Sequence, residues 1–459
     1  MGKINKIIAL AIMLSASVLV SCSKKPGDSF KANIEVRSCV ADTSVHYSVY
    51  MPQTSQKNLP TIVFFDPHAQ GEKPVEAYAR LASEYKYILI GSNDMHNGQT
   101  ASETEKIVLA LINEIENQYP SDPNRIYLSG FSGGAKLAMM YGINIPEIKG
   151  VVACGGSILP HIKPDSTFCF VGMVGNKDFN YLDMQQTLAA FSKMGIPFTS
   201  LVFDGKHEWP AASEYENAFK ALEINAMRTG FAPANVDWLK SVYSALSDSA
   251  NNSMALGEYV KGSELIGRIQ GWFGSVDNDI RLTAFLNNLR NNPMYHDQVR
   301  KLQELAEKEV SLRGQFIGSI ENRDIDWWKD EIANFEKSIA SKDKDVSLTS
   351  HRLMAYLSMV SYSLINSDIL NNRQEKALKK LQIYQLVDPE NTDVYLMYAR
   401  YYLMTGDRQK MVDSYREAVA KGFNEAANYA NSSDWKFLFS QPEIKAELSG
   451  KIAIENLRK

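Results

Sequence analysis

The sequence predicts an α/β domain with a doubly wound, mostly parallel sheet, followed by an all-α region. Short continuous apolar runs such as residues 61–65 and 87–91 are typical of strands buried on both faces, and helical patterns lie between such runs. Strands that alternate with helices predict a mostly parallel sheet. After about residue 230 no further strand-like run of any length is found. We therefore expect two domains, at residues 33–230 and 231–459.

The N-terminal segment is excluded from the fold. Residues 1–21 carry lysines at positions 3 and 6, followed by an apolar run at 7–20 that is too short for a comfortable membrane span. The run ends Leu-Val-Ser-Cys, which looks like a bacterial lipobox; an ordinary secretory signal with an incidental cysteine is the alternative. We expect a lipid on Cys22, residues 22–32 as a tether, and a location on the extracytoplasmic side of a bacterial membrane, in the periplasm or at the cell surface.

Composition describes an ordinary globular protein. Of 459 residues 45% are hydrophobic and 22% charged, and the net charge of −4 with no basic face makes nucleic acid an unexpected partner. Beyond Cys22, the cysteines are Cys39, Cys154 and Cys169, an odd number that fits no disulfide framework, and we expect them in the core. No C-x-x-C motif or histidine cluster indicates a metal, and no cofactor is expected.

The elements of the first domain follow in order along the chain. We expect strands at residues 45–50, 61–65, 87–91, 125–129, 150–154, 168–171 and 199–203. Helices are expected at residues 107–115, 136–141, 184–194 and 211–228, the first preceded by a capping box formed by Ser102 and Glu105.

The segment that organises the chain is Gly-Phe-Ser-Gly-Gly at residues 130–134, between a predicted strand and a predicted helix. This is the context of a nucleophile elbow, in which a serine on a sharp strained turn exposes its Oγ. The flanking glycines avoid collisions in so tight a turn. We therefore predict Ser132 as a nucleophile, with the amide of Gly133 directed at a developing oxyanion. A simple Ser/Gly turn is the alternative.

An acid and a base follow in the order that such a site needs. Asp178 lies in the loop after the strand at 168–171, and His207 lies between the last strand and the closing helix. His207 would take the proton from Ser132, and Asp178 would orient His207. A surface-loop histidine and a helix-capping aspartate are the alternatives.

Three other carboxylates compete with Asp178. They are Asp183, Asp204 and Glu208, of which the first is expected to begin a helix and the other two crowd the histidine. The second oxyanion donor is expected to be a backbone amide after the strand at 61–65. Ala69 is the favoured residue, with His68 or Gln70 as alternatives.

These motifs together resemble the α/β-hydrolase fold over about residues 33–229. Within it they are most similar to the feruloyl esterase and polyhydroxybutyrate-depolymerase-like branch. The residues that carry the resemblance are Asp122-x-x-Arg125-Ile-Tyr127-x-x-Gly130-x-Ser132-x-Gly134, Gly175-x-x-Asp178 and Gly205-x-His207-x-Trp209-Pro210. The sequence departs from the family at His68-Ala69, where His-Gly is usual. The resemblance implies hydrolysis of carboxylic esters through an acyl-enzyme.

The second domain carries a repeat. Ala377, Leu381 and Tyr384 are matched 34 positions later by Met411, Tyr415 and Ala418, which is the tetratricopeptide period. We expect tetratricopeptide-like repeats within about residues 350–425; a plain helical bundle is the alternative. Trp327 and Trp328 are expected in the core or at a contact between domains.

The sequence thus predicts a lipid-anchored serine esterase whose substrate is small or polymer-linked, such as an acylated polysaccharide. Two alternatives stay open: a serine peptidase similar to the prolyl-oligopeptidase class, and a non-catalytic lipoprotein that binds a protein partner through its helical repeats. No propeller precedes the first domain, which disfavours the peptidase, and the complete set of Ser132, Asp178 and His207 disfavours the non-catalytic reading.

Overall fold

The computed structural model describes residues 30–274, 280–431 and 435–456. The predicted signal segment at 1–21 and the predicted lipid site Cys22 lie outside these residues. By its internal contacts the chain divides into residues 1–33 and 34–459. The described part of the first unit, residues 30–33, has no regular secondary structure. All strands and helices reported below belong to the second unit.

Eight strands form one sheet. They are β1 (Ile34–Ser38), β2 (His46–Tyr50), β3 (Leu59–Phe65), β4 (Ile88–Ser92), β5 (Ser121–Phe131), β6 (Ile148–Cys154), β7 (Cys169–Gly175) and β8 (Phe198–Phe203).

The sheet has the strand order β1-β2-β4-β3-β5-β6-β7-β8. β2 pairs antiparallel with both of its neighbours. The other six strands, in the order β4-β3-β5-β6-β7-β8, pair in parallel. This mixed, mostly parallel sheet with helices in its connections is α/β-hydrolase-like and confirms the predicted fold class. Strand β1 was not predicted, because its sequence Ile-Glu-Val-Arg-Ser carries charged side chains on an exposed sheet edge.

Five helices accompany the sheet. They are α1 (Glu72–Tyr85), α2 (Ala101–Gln118), α3 (Gly133–Asn144), α4 (Tyr181–Lys193) and α5 (Ala212–Thr229). Side chains alternate between the faces of the sheet: Val63 and Phe65 share a buried cluster with residues of α2, α3 and α4, whereas Phe64 contacts Tyr78 of α1 and Tyr215 of α5. The core is thus built on both faces, which explains the continuous apolar runs of the central strands.

The predicted capping box of α2 was wrong by two residues. Thr100 is the N-cap: its hydroxyl accepts from the amide of Glu103, and the Glu103 carboxylate accepts from the amide of Thr100. Ser102 lies inside the helix, where its hydroxyl is not needed as a cap. Two overlapping Ser/Thr-x-x-Glu patterns exist in this segment, and the outer one forms the cap.

After α5 the described residues contain helices and no strand. They are α6 (Val236–Ala255), α7 (Tyr259–Phe273), α8 (Ile280–Asn291), α9 (Pro293–Asn322), α10 (Ile325–Ile339), α11 (Lys344–Leu370), α12 (Gln374–Val387), α13 (Thr392–Thr405), α14 (Arg408–Ala420), α15 (Ala426–Asn431), α16 (Lys436–Phe439) and α17 (Pro442–Asn456). None of the helices within the described ranges combines the length and apolarity needed to cross a membrane.

The helical region packs around several apolar clusters. Trp328 is fully buried in one of them, with Trp327 against its edge, so this pair belongs to the helical core. Residues of α12 and α14 meet in another cluster, where the six positions related by the 34-residue period are all buried: Ala377, Leu381, Tyr384, Met411, Tyr415 and Ala418. The 34-residue period therefore corresponds to core positions on two helices.

The helical region also covers the β8 edge of the sheet. On α7, the Trp272 indole donates to Thr199 Oγ1 at 2.8 Å, and the Arg268 guanidinium donates to the carbonyl of Ser200 at 3.3 Å. The predicted boundary at residue 230 falls between α5 and α6. That the two parts are separate domains stays a prediction.

Candidate active site

The Ser132 turn joins strand β5 directly to helix α3. Ser132 has φ 53° and ψ −113°, a conformation that costs a non-glycine residue about 1–3 kcal/mol and persists where its surroundings impose it. Its amide donates to the carbonyl of Cys154 at 2.9 Å. A Cβ on Gly130 would lie 2.1 Å from the carbonyl oxygen of Gly134, so the turn requires this glycine.

The structure brings Ser132, His207 and Asp178 together. His207 Nε2 lies 3.0 Å from Ser132 Oγ, and His207 Nδ1 lies 2.9 Å from Asp178 Oδ2 and 3.0 Å from Asp178 Oδ1. The carboxylate fixes the imidazole with Nε2 facing the hydroxyl. This linear arrangement allows the hydroxyl proton to pass to His207 as the oxygen attacks an electrophile.

Asp178 is the carboxylate that contacts the imidazole. It is fully buried, and Oδ1 also accepts from the amide of Asn180 at 2.8 Å. The nearby rivals are engaged elsewhere: Asp204 pairs with Lys177 at 2.9 Å, and Glu208 accepts from the amide of Lys206 at 3.0 Å. The third rival, Asp183, lies exposed in the first turn of α4.

The His207 ring contacts two phenylalanine rings. Its centroid is 4.6 Å from that of Phe131 and 4.3 Å from that of Phe179. Gly155, at φ +57°, follows β6 beside these rings, and a Cβ there would lie 3.0 Å from Asp178 Oδ2 and 3.3 Å from His207 Nδ1. Neither Phe179 nor Gly155 was predicted from the sequence; the Gly-Gly pair after an apolar strand was the available signal for Gly155.

The candidate oxyanion donors lie on adjoining segments. Gly133 is the first residue of α3, whose opening amides have no acceptor within the helix. A Cβ on Gly134 would lie 2.0 Å from the carbonyl oxygen of Phe65, so the end of β3 lies against the first turn of α3. Ala69 follows with φ 59°, and its amide makes a long bond of 3.3 Å to the carbonyl of Asp66. The amide of His68 instead donates to the Asp66 carboxylate.

The side chain of Asn97 lies against Gly133, a contact that was not predicted. Its Oδ1 lies 1.9 Å, and its Nδ2 3.4 Å, from where a Cβ on Gly133 would be. The backbone amide of Asn97 donates to the carbonyl of Pro67 at 2.9 Å, which ties the loop after β4 to the loop after β3. No sequence motif pointed to Asn97, because the approach depends on the pairing of β3 with β4.

Asp66 connects the β3 loop to the histidine loop. Its buried Oδ2 accepts a hydrogen bond of 2.8 Å from the indole of Trp209, which lies two residues after His207. Burial opposes ionisation, but hydrogen bonds from His68 and Trp209 hold the pKa of Asp66 below its ordinary value. The hydrogen bond to Asp66 in turn raises the pKa of His68, although burial acts against it.

The cysteines lie in the core, as predicted, and all three are buried free thiols. Cys154 ends β6 and Cys169 begins β7, where Cys169 pairs with Gly150, so the two sulfurs lie at different heights in the sheet. Burial raises the pKa of Cys39 and of Cys169 to about 12. A thiol that stays protonated is a poor nucleophile. Within the described ranges, no group of three or more metal-ligating side chains is found.

A cleft of about 510 Å³ adjoins the candidate oxyanion loop. His68 and Ala69 form part of its wall, and Asp94, Glu103 and Lys106 are among the charged residues that line it. The cleft therefore offers hydrogen-bonding groups next to the loop after β3.

Comparison with known proteins gives structural neighbours only. No protein-family profile matches the chain, and no curated protein matches it. Similar solved structures include an S-formylglutathione hydrolase of Staphylococcus aureus (14% identity, 43% of this chain, 98% of that chain, TM-score 0.34) and an esterase of Pyrobaculum calidifontis (13%, 44%, 86%, 0.35). A ferulic acid esterase is also similar (18%, 42%, 97%, 0.34). The fold assignment above rests on the strand order of this chain.

Proposed function

We propose that the protein is a serine hydrolase that cleaves carboxylic esters through an acyl-enzyme. The observation that carries this proposal is the Ser132–His207–Asp178 array on a strained turn, with successive distances of 3.0 and 2.9 Å. A serine hydroxyl is a weak nucleophile unless an oriented base takes its proton. This array supplies both the base and the group that orients it.

In the proposed reaction, Ser132 Oγ attacks the ester carbonyl while His207 takes the hydroxyl proton. The carbonyl oxygen becomes an anion that the amide of Gly133 stabilises, together with an amide near Ala69. His207 then gives its proton to the departing alcohol oxygen, which leaves an acyl group on Ser132. A water molecule, deprotonated by His207, releases the acid and restores Ser132. Asp178 stabilises the imidazolium in both halves.

Labelling with a fluorophosphonate tests the nucleophile. The wild type should react at Ser132, and Ser132→Ala should remove both the label and ester turnover, the latter by about 10⁶-fold. His207→Ala should act by a similar factor, and the double variant should be little worse than either. Ser157→Ala is a matched control in the loop after β6, where the hydroxyl bonds Thr187. Labelling of Ser132→Ala at the wild-type rate would reject the proposal.

The preference for esters over peptides needs a separate comparison. A panel of chromogenic acetyl and aryl esters beside peptide anilides separates an esterase from a peptidase of the prolyl-oligopeptidase type. Turnover of esters alone is expected. Turnover of the anilides at comparable kcat/KM would support the peptidase, and reaction with neither would leave the non-catalytic lipoprotein.

We propose an acylated polysaccharide as the substrate class. The cleft beside Ala69 is lined by charged and polar groups, which suit a hydroxylated alcohol moiety better than a long alkyl chain. A feruloyl or acetyl ester of a sugar should therefore be cleaved with higher kcat/KM than a matched long-chain alkyl ester. Glu103→Gln and Lys106→Met, which each remove a charge, should lower the ratio of kcat/KM for the sugar ester to kcat/KM for the alkyl ester. An unchanged ratio would show that the alcohol moiety binds elsewhere.

We propose that the mature chain begins at a lipid-modified Cys22 and is anchored on the extracytoplasmic side of a bacterial membrane. The support is the sequence Leu-Val-Ser-Cys after a short apolar run. The wild type should fractionate with membranes, and Cys22→Ala should be released or mislocalised. Ser23→Ala is the adjacent control. Equal recovery of wild type and Cys22→Ala in membranes would contradict the anchor.

We infer that residues 350–425 form tetratricopeptide-like repeats that offer a surface to a protein partner. Supporting this, α12 and α14 bury equivalent residues 34 positions apart, and α13 packs beside both. Tyr398 and Tyr402 line a groove of about 350 Å³ on this region. Crosslinking in intact cells should yield a specific adduct that Tyr398→Ala weakens; the absence of any adduct would contradict the partner.

A further inference from the structure

Two buried charged side chains, and a third that is nearly buried, lie where helices α9 and α11 face the sheet region. Glu309 is fully buried, Arg352 is 7% exposed, and the side chain of Arg313 is 11% exposed. Glu309 accepts from both arginines, at 2.7 Å from Arg313 Nη2 and 2.9 Å from Arg352 Nε. One anion is thus shared by two cations, and we call this group the Arg–Glu–Arg cluster.

The cluster ends on the loop that carries Asp178. Arg352 Nη1 donates to the carbonyl of Asn176 at 3.1 Å, and Arg313 Nη2 donates to the carbonyl of Phe179 at 2.6 Å. The guanidinium of Arg352 also lies over the ring of Tyr181, 4.6 Å from its centroid. The contacted carbonyls lie on both sides of Asp178 in sequence, two residues before it and one after.

The opposite side of the same loop is bonded to the histidine loop. The amide of Asn176 donates to the carbonyl of Phe203 at 2.9 Å, and the amide of Lys177 donates to the carbonyl of Gly205 at 3.0 Å. The loop therefore directs amides at the segment that carries His207 and carbonyls at the helical region. It is held from both sides.

The composition of the cluster makes it a poor device for stability alone. Removing three charged side chains from water is costly, and well-packed apolar side chains commonly stabilise a protein as much or more. Here the two arginines also donate to carbonyl oxygens of the Asp178 loop, and the Arg352 guanidinium lies over the Tyr181 ring. What the arginines supply, and apolar residues would not, is directed hydrogen bonds to that loop.

We propose that Arg352 and Arg313, held by Glu309, are positioning residues that fix Asp178 and, through the Phe179 ring, His207. This proposal rests on the proposed serine-hydrolase function. The helical region then completes the catalytic geometry of the sheet region, although it supplies none of the reacting groups. A displacement of about 1 Å at a reacting group can cost about 100-fold in rate, so the loss of one such bond is measurable.

The first test separates kcat from KM with a small acetyl ester. Arg352→Lys keeps the charge but removes the guanidinium that donates to both Glu309 and the carbonyl of Asn176. Arg313→Met removes the hydrogen bond to the carbonyl of Phe179. Each should lower kcat by about 10- to 100-fold. The KM should stay within about twofold, because the arginines contact the Asp178 loop and neither Ser132 nor the candidate oxyanion amides. Using both variants keeps the test valid if one of them fails to fold.

Chemical rescue gives a readout that a merely structural role would not move. Arg352→Ala opens a space of the size of a guanidinium group next to Glu309 and the carbonyl of Asn176. Guanidinium at low millimolar concentration should restore part of kcat, and equal sodium chloride should not. Absence of rescue together with wild-type-like kcat in Arg352→Lys and Arg313→Met would overturn the proposal.

Arg400→Met is the matched control. Arg400 is as buried as Arg352, and its hydrogen bond to Asn366 and its contact with the Trp435 ring lie within the helical region. It should lower thermal stability and leave kcat within about twofold of the wild type. An equal fall of kcat in Arg400→Met and in the cluster variants would show a general structural effect. A wild type that neither labels at Ser132 nor cleaves esters would instead refute the proposed function itself.

Discussion

The sheet region and the helical region are organised in different ways. In the sheet region one large buried cluster extends from Cys39 to Phe198 and joins strands and helices that are far apart in sequence. In the helical region separate clusters each join helices that are near in sequence, as around Ile266, Trp328 and Tyr384. The geometry of the candidate site therefore depends on the pairing of strands that are far apart in sequence, whereas the helical region is built from local clusters of neighbouring helices.

Glycines show the same difference at the level of the backbone. In the sheet region, a Cβ on Gly91 would lie 2.0 Å from the carbonyl oxygen of Gly71, and Gly134 is as crowded. In the helical region, Gly267, Gly314 and Gly318 have no atom within 4 Å of that position. The sheet region uses glycine to bring backbones together, and these helical glycines have no such role.

After loss of the nucleophile itself, the largest expected effect lies at the centre of the sheet region. Asp178→Asn keeps the shape of the side chain but favours the wrong tautomer of His207, and should lower kcat by about 10⁴-fold. This is less than the loss expected for Ser132→Ala. Steady-state kinetics with a chromogenic ester measure it, with Asp183→Asn on the same loop-helix junction as the control. A fall below about tenfold would show that another group orients the imidazole.

The second effect breaks the close approach of backbones at the elbow. Gly134→Ala places a methyl group 2.0 Å from the carbonyl oxygen of Phe65, so β3 and α3 must separate. Overpacking against the backbone should cost about 3 kcal/mol of unfolding free energy and reduce activity as well. Urea denaturation measures the first quantity. Gly142→Ala, which meets a methyl group of the buried Val151 side chain and no backbone atom, is the control and should cost less.

The third effect has the opposite sign and lies in the helical region. Gly314 is exposed within α9 and has open space where a Cβ would be. Gly314→Ala should raise the unfolding free energy by about 0.5–1 kcal/mol, because alanine loses less backbone entropy on folding. The midpoint in urea should rise at an unchanged slope, and kcat should not change. Destabilisation instead would show that α9 needs flexibility there.

The smallest effect concerns pH and the loop after β3. His68 has a raised pKa because it hydrogen-bonds Asp66, with Glu425 and Asp393 of the helical region adding to the effect. A raised folded-state pKa contributes stability below the unfolded value near 6.5 and loses it as pH rises through the folded value. Since the ring is 56% exposed, the contribution should be only about 0.3 kcal/mol.

Denaturation at pH 6 and at pH 8.5 measures this difference. The wild type should lose slightly more stability than His68→Gln over that range, and the two should agree at the higher pH. A pH dependence that is the same in both proteins would mean that His68 does not titrate differently on folding.

The sequence predicted the fold class and the residues that meet at the site, because loops after parallel strands converge at one edge of the sheet. Asp178 and His207 could be chosen from their places after β7 and β8 alone. The strand β1 could not be recognised, since an edge strand with exposed charges lacks the apolar run of a buried one. The N-cap of α2 was misplaced because two overlapping patterns satisfy the same rule.

The supporting contacts were beyond sequence reasoning for a physical reason. Glu309 and Arg313 are visible as a pair one helical turn apart, but Arg352 lies on another helix, and its acceptor at Asn176 is a backbone carbonyl that has no residue signature. The left-handed conformation of Ala69 is likewise imposed by its surroundings, since alanine does not favour it.

The contacts of α7 with β8 have a consequence for biosynthesis. The chain is made from its N-terminus, so the complete sheet leaves the ribosome before residues 259–273 that cover its last strand. Until then the carbonyl of Ser200 lacks its Arg268 donor, and the β8 edge is open to pairing with another chain. A nascent or truncated protein that ends near residue 230 therefore exposes the β8 edge, which is prone to aggregation. Chaperones that shield extended strands would be needed most in the interval before α7 is made.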